Sequence, residues 1–341
     1  MTVIIGIDPH KASHTAVAID EHEQRLGELK IASDRSQTQR LLAWAAPFEE
    51  RAWAVESADG LGKLVSQQLV AEGEHVIDVP PTLAARVRLL GSTKAGKSDP
   101  NDALSTAIAG LRHGGLRRVV ADDDRVVLRL LVRRFGDVSA ARTRAVCRLH
   151  AVLIELIPGG LPRKLKADQA AAALRKVRPD NPVDAARRAL AVDFVAELRR
   201  HDRELKDLRR RIVTAVEESG TTLLEVFGVG PIVAALIIGY AGDPARFATR
   251  HQFAAYNGTA PIEASSGPKK RHRLNPRGNR KLNHAMHLIA ITQIRNLHSP
   301  GRGFYDRKLA EGKTKKEALR ALKRRVSDAV WRQLQVDLGC R

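Results

Sequence analysis

The chain has 341 residues, with 58 Lys and Arg against 38 Asp and Glu, a formal net charge of +20. That length allows two or three domains large enough to bury their own cores, and the charge points to a polyanionic partner, nucleic acid ahead of an anionic membrane surface, because phosphate binding releases counterions. There is no apolar stretch of membrane-spanning length and no basic-then-apolar leader before the first acids, so a soluble, cytosolic protein is expected.

The first hundred or so residues alternate between strand and helix patterns. Val3 to Ile7 is an apolar run that closes on Asp8 in Gly6-Ile7-Asp8; Thr15 to Ile19 follows a polar turn, and Arg25 to Ile31 alternates as a third strand. A helix over Gln37 to Ala46, a strand over Ala52 to Val55 ending at Glu56, a helix over Leu61 to Gly73 and a strand over His75 to Val79 continue as βαβ units. A three-strand meander followed by βαβ units is the order of the ribonuclease-H-like fold, a mixed-sheet α/β architecture. In that fold an acid on the first strand and one at the end of the fourth meet at the sheet centre, here Asp8 and Glu56.

Lys97-Ser98-Asp99-Pro100-Asn101-Asp102-Ala103 then supplies two acids three residues apart, on one face of a helix opening near Pro100. Asp99 also suits an N-cap with Pro100 at the first helical position, so capping is the alternative role for it. Four carboxylates delivered by strand ends and one helix start, Asp8, Glu56, Asp99 and Asp102, are a donor set for Mg²⁺, and such sites clamp the attacking and leaving oxygens of phosphoryl transfer. Glu56 follows an apolar strand where an uncompensated buried carboxylate would be costly.

From Val126 to Ile157 the pattern is one long helix with Leu128, Leu131, Val132, Val138, Leu149 and Leu153 among its apolar set, broken by Pro158-Gly159-Gly160. After a connector to about Pro182, Ala191, Phe194, Leu198, His201, Leu205, Leu208, Ile212 and Ala215 step alternately by three and four, a coiled-coil seam against the earlier helix or another subunit. His201 reads as a register-setting polar residue. Flanking arginines such as Arg199, Arg203 and Arg209 form either a solvated face or a phosphate-tracking one. Cys147 and Cys340 are too few and too far apart for a zinc site or disulfide framework and read as free thiols.

The third section opens near Thr221. Phe227-Gly228-Val229-Gly230-Pro231-Ile232-Val233-Ala234 has the form of a helix-hairpin-helix, in which Gly228 and Gly230 would present backbone N–H groups to a phosphate; tight turns need the same glycines. A loop follows with Ser265 and Ser266. Between Ala264 and Tyr305 there is no acidic residue and nine are Lys or Arg; Lys269, Lys270, Arg271, Arg273, Arg277, Arg280 and Lys281 are the expected phosphate contacts. That one-sided field would hold a scissile phosphate beside a serine hydroxyl, although a serine turn in a basic loop has the same composition. Three sections result, at 1–120, 121–220 and 221–341.

Taken in order, Gly6-Ile7-Asp8 with His10-Lys11, Glu56, the Lys97 to Ala103 block, Phe227-Gly228-Val229-Gly230, the Tyr256 to Gly267 block and Arg277-Gly278-Asn279-Arg280 resemble a DEDD transposase of the insertion-sequence one-ten type, a bacterial family related to the Piv-type DNA invertases. The resemblance spans nearly the whole chain. It implies a RuvC-like N-terminal domain holding Mg²⁺ with Asp8, Glu56, Asp99 and Asp102, and a mainly helical C-terminal transposase domain whose serine, matching Ser266 with Ser265 adjacent, links covalently to DNA. It also implies a homo-oligomer built as a dimer of dimers, acids of one subunit serving the serine of another, donor and target DNA as partners paired by a structured guide RNA, and work at the nucleoid. Ser98 and Thr259 depart from the family's usual Thr and Leu without touching a ligand or the nucleophile. The alternatives are a metal-dependent junction resolvase or nuclease without a covalent link, and a non-catalytic nucleic-acid-binding protein.

Overall fold

The computed structural model describes residues 2–91, 99–263, 272–273, 275 and 278–339, in two compact units, 1–122 and 123–341. Its first unit is a six-stranded sheet in the order β3-β2-β1-β4-β5-β6. Strands β1 (Val3–Pro9), β2 (Ser13–Ile19) and β3 (Arg25–Ala32) form the expected antiparallel meander. After α1 (Gln37–Ala45), β4 (Arg51–Glu56) pairs parallel to β1, and after α2 (Lys63–Ala71), β5 (Val76–Val79) pairs parallel to β4. Two helices not foreseen as a pair follow, α3 (Pro81–Gly91) and α4 (Asp99–Arg112), and the two-residue β6 (Arg117–Arg118) closes the edge antiparallel to β5.

All seven residues of β1 are buried, as a central strand covered on both faces must be. Ile5, Ile7, Trp53 and Val55 share one core with Leu41 and Leu69 of α1 and α2. Ile4, Val17, Ala52 and Ala54 face the other way, against Ala103 and Ala107 of α4. Period-two alternation in β1 and β4 therefore sorts side chains to two helical layers. Gly6 is the point of closest approach: a Cβ there would lie 2.1 Å from the Ala103 carbonyl oxygen and 2.5 Å from the Ala107 nitrogen. The missing side chain lets α4 lie down on β1.

Most of the second unit is helical, and the sections expected at 121–220 and 221–341 fall together in it. Helix α5 (Asp124–Leu156) starts where the Asp123 carboxylate accepts from the Arg125 N–H, and α7 (Pro182–Glu218) where the Asn181 side chain accepts from the Asp184 N–H with Pro182 in the first turn. Between them lies the short α6 (Ala167–Lys176). Helix α7 runs along α5, one of the two partners its apolar steps allowed. Of the residues in the expected seam Ala191, Leu198, Leu208 and Ile212 are buried, whereas Val195 and Val216, rather than Phe194 and Ala215, are the buried residues towards its ends. That drift follows from a helix of 3.6 residues per turn carrying a 3.5-residue pattern. Outside the seam, Arg134–Glu204, Arg142–Asp202, Arg148–Glu197 and Arg187–Glu155 pair across the two helices. Cys147 is an exposed free thiol, and Cys340 lies outside the described residues.

Beyond a 3-10 turn at Thr222–Glu225 come α8 (Pro231–Ala241), a second 3-10 turn at Pro244–Arg246, α9 (Arg250–Tyr256), the two-residue strands β7 (Ile262–Glu263) and β8 (His272–Arg273), and α10 (Arg280–Arg295), α11 (Pro300–Ala310) and α12 (Lys315–Gly339). Gly228 has φ of 90° and Gly230 caps α8, as the glycine turn requires, but the element before the turn is the four-residue 3-10 turn instead of a full helix. Gln293 Nε2 donates to the Phe227 carbonyl at 2.8 Å, so this turn is packed on α10. Among the described residues no helix is long and apolar enough to cross a membrane.

Candidate active site

Asp8 is the penultimate residue of β1 and is 8% exposed. Since Ile7 is in register with Val55 of the parallel neighbour, Asp8 and Glu56 end adjacent strands side by side. The chain turns off β4 sharply at Ser57, a non-glycine residue with φ of 53°, whose N–H donates to the Val79 carbonyl at 3.0 Å. Such a left-handed residue at a strand end is held only because its surroundings fix it. Asp99 and Asp102 arrive from the first turn of α4, which the Gly6 contact sets against β1.

Asp8, His10 and Asp99 each offer one ligand atom, and these atoms lie within 4.8 Å of one another. His10 Nδ1 is 3.5 Å from Asp8 Oδ2. Glu56 joins the group electrostatically. Burial, then the Asp8 charge and the Asp102 charge, push the Glu56 carboxyl above the ordinary glutamate value, with Arg88 opposing. Two cations from the flanking elements neutralise the helix acids: Lys30 of β3 places Nζ 2.8 Å from Asp99 Oδ2, and Arg88 of α3 pairs with Asp102. The Lys30 hydrogen bond and charge hold Asp99 below the usual carboxylate range.

The donor set fits a divalent metal. Carboxylate oxygens on rigid strand ends suit a hard cation such as Mg²⁺ or Mn²⁺, and one imidazole does not exclude it. His10, Lys30 and Arg88 are the site residues that sequence reading passed over. His10 had a signal, standing two residues after Asp8 at the same strand end; Lys30 and Arg88 had none, because only the folded register brings them near the acids. Ser265, Ser266, Lys269, Lys270, Arg271 and Arg277 lie outside the described residues, and Arg273 falls in β8. Arg280 and Lys281 open α10.

The raised Glu56 value gives a testable pH dependence. Folded protein holds the Glu56 proton to higher pH than unfolded chain does, so its contribution is fully present below the ordinary glutamate value and is lost as pH rises through the raised folded value. In chelator, Glu56→Gln should therefore melt higher than wild type at pH 8, with the difference vanishing near pH 4. Equal melting temperatures at both pH values would contradict this account of the site.

Two family models match the chain. Residues 5–158 match the IS110-type DEDD transposase model, described as Transposase, and residues 220–306 match the model described as Transposase IS116/IS110/IS902 family. The chain belongs to the IS110/IS116 transposase family. It is an enzyme that acts on DNA in transposition. The first match contains Asp8, Glu56, Asp99 and Asp102, and the second contains the glycine turn and both loop serines. The transposase is 29% identical to the insertion element IS116 uncharacterized 44.8 kDa protein of Streptomyces clavuligerus, over 97% of this chain and 94% of that one. It is equally 29% identical to the insertion element IS900 uncharacterized 42 kDa protein of Mycobacterium paratuberculosis, over 97% and 95%. Among solved structures, T. thermophilus RuvC in complex with a Holliday junction substrate is similar at 19% identity and a TM-score of 0.29, covering 35% of this chain and 100% of that one.

Proposed function

We propose that this transposase cuts and rejoins DNA through a covalent phosphoserine link formed by Ser266, using Mg²⁺ held by Asp8, Glu56, Asp99 and Asp102. What carries the reading is the convergence of Asp8, His10 and Asp99 within 4.8 Å, beside a Glu56 whose proton affinity responds to Asp8 and Asp102. Bound magnesium would polarise the phosphodiester and lower the proton affinity of the attacking hydroxyl. Ser266 Oγ forms a bond to phosphorus as the bond from phosphorus to the 3′-oxygen breaks; the serine gives up its proton and the departing oxygen gains one. Reversal of the same step on a new 3′-hydroxyl reseals the strand, which conserves the bond energy without ATP.

Asp8 and Glu56 are fixed by the two central strands, so their oxygens keep one geometry through both steps. Lys30 and Arg88 neutralise Asp99 and Asp102 before DNA arrives and limit the repulsion among four acids. The basic run from Lys269 to Lys281, with Gly228 and Gly230, supplies phosphate contacts. The transposase works as a homo-oligomer, a dimer of dimers, in the cytoplasm where its DNA lies, with a structured guide RNA pairing donor and target; the family membership supports these assignments.

Trapping the protein on labelled donor DNA in a denaturing gel tests the mechanism. Wild type and Ser265→Ala should give a protein–DNA band, and Ser266→Ala should give none. A band from Ser266→Ala that is lost in Ser265→Ala would move the nucleophile by one residue. Cleaved DNA with no linked protein in any of the three would make the enzyme a metal-dependent nuclease in which water attacks.

A further inference from the structure

The stems of the serine loop are tied together by buried polar groups that neither strand cleavage nor DNA charge explains. Asn257 and Ser327 are fully buried, and Asn257 Nδ2 donates to Ser327 Oγ at 2.7 Å. The Asn257 Oδ1 atom accepts from the Thr259 N–H and hydroxyl, turning the chain into the loop. On the outgoing side, Asn283 Nδ2 donates to the Asn257 carbonyl at 3.0 Å, and the Asn279 N–H donates to the Tyr256 carbonyl at 2.6 Å. The stems touch backbone to backbone at two glycines. A Cβ on Gly278 would lie 2.5 Å from the Gly258 Cα, and Gly258 itself has φ of 73°.

Lys323 of α12 completes this arrangement, one turn before Ser327 on the same helix face. It is 8% exposed, and Nζ donates to Asn283 Oδ1 at 2.7 Å. Among the described residues no carboxylate pairs with it; burial and the Arg280 charge push its ammonium below the ordinary lysine value. His287, on α10, is in turn depressed by burial and the Lys323 charge. A buried amine in a cationic neighbourhood is costly, and an arginine-rich chain has cheaper ways to stabilise a helix. What Lys323 gains in this position is control over Asn283, the residue that joins the two stems.

We infer that Lys323 is a positioning residue for strand transfer, clamping the stem at Asn257–Gly258 against the stem at Gly278–Asn283 through Asn283. This rests on the proposed role of Ser266 in the serine loop. Lys323→Met removes the donor, and Lys323→Gln keeps a neutral one.

The test uses the full-length protein with labelled donor DNA and Mg²⁺, together with amide hydrogen exchange on the free protein. Lys323→Met should slow covalent adduct formation by about tenfold or more, the scale set by leaving a buried acceptor unsatisfied, with DNA affinity unchanged. Amides of 257–260 and 279–283 should exchange faster while those of α8 keep wild-type protection, and Lys323→Gln should recover part of both losses. A wild-type adduct rate in Lys323→Met, or exchange accelerated across the whole second unit, would overturn the inference. If Lys323→Met fails to fold, the same comparison on Lys323→Gln decides it: adduct rate and stem exchange both at wild-type values would sink the clamp, and both partly impaired would support it. No adduct in wild type sinks the Ser266 mechanism alone, because the exchange comparison still decides whether the stems are clamped.

Discussion

Asp8→Asn is expected to reduce strand cleavage on the order of 10³-fold while leaving the protein at least as stable as wild type. The loss follows from the several kcal/mol that a metal contributes to transition-state charge stabilisation, each 1.36 kcal/mol being about tenfold in rate. The preserved stability follows from the site's own electrostatics. Asp8 is nearly buried, and its charge is the second cause, after burial, that drives the Glu56 carboxyl upward. An amide of the same shape removes that repulsion. Melting in chelator should thus be unchanged or higher in the variant, whereas added Mg²⁺ should raise the melting temperature of wild type and not of Asp8→Asn. Cleavage within a few-fold of wild type, or an equal magnesium-dependent rise in both proteins, would remove Asp8 from the metal site.

Gly6→Ala is expected to cost the first unit about 2–4 kcal/mol, at or above the usual range for overpacking a core. The new methyl would stand 2.1 Å and 2.5 Å from backbone atoms of Ala103 and Ala107. Backbone cannot rotate aside as a side chain can, so α4 as a whole must lift. Because α4 carries Asp99 and Asp102 in its first turn, the variant should also lose cleavage at temperatures where it remains folded. The control is Gly136→Ala on α5, where a Cβ meets nothing within 4 Å; there alanine should be neutral or stabilise by up to about 1 kcal/mol through helix propensity. Thermal melts of the three proteins check both expectations, and similar melting temperatures for Gly6→Ala and wild type would show that α4 does not rest on β1 as described.

Much of the first unit was legible because its strands are short apolar runs bounded by polar turns. Val3 to Ile7, Thr15 to Ile19 and Ala52 to Val55 could not be helices of useful length, and their order left one familiar sheet arrangement. The acids at their ends followed directly. Helix α3 was passed over because Arg86 and Arg88 interrupt its apolar residues, and the two-residue β6 offers no periodicity to read. Lys30 and Arg88 were invisible for a different reason: each meets its acid through tertiary register, across 69 and 14 residues of chain. In the second unit the long helices were plain from apolar spacing, and the Asn257, Asn283 and Lys323 group was not, since isolated asparagines in a basic section read as turn residues or surface.

The four cross-helix ion pairs between α5 and α7 are partly exposed, so solvent screening leaves each a small contribution to stability. Their value lies in discriminating between alignments. Were α7 to slip by one turn so that each position held the residue four places later, Arg142 would face Lys206 in place of Asp202, Arg134 would face Leu208 and Arg148 would face His201. Greasy side chains alone tolerate such sliding, since leucine packs against leucine in many frames. The slipped frame sets one like-charged pair face to face and leaves the other charges without their partners, so the charges favour a single alignment of the two helices.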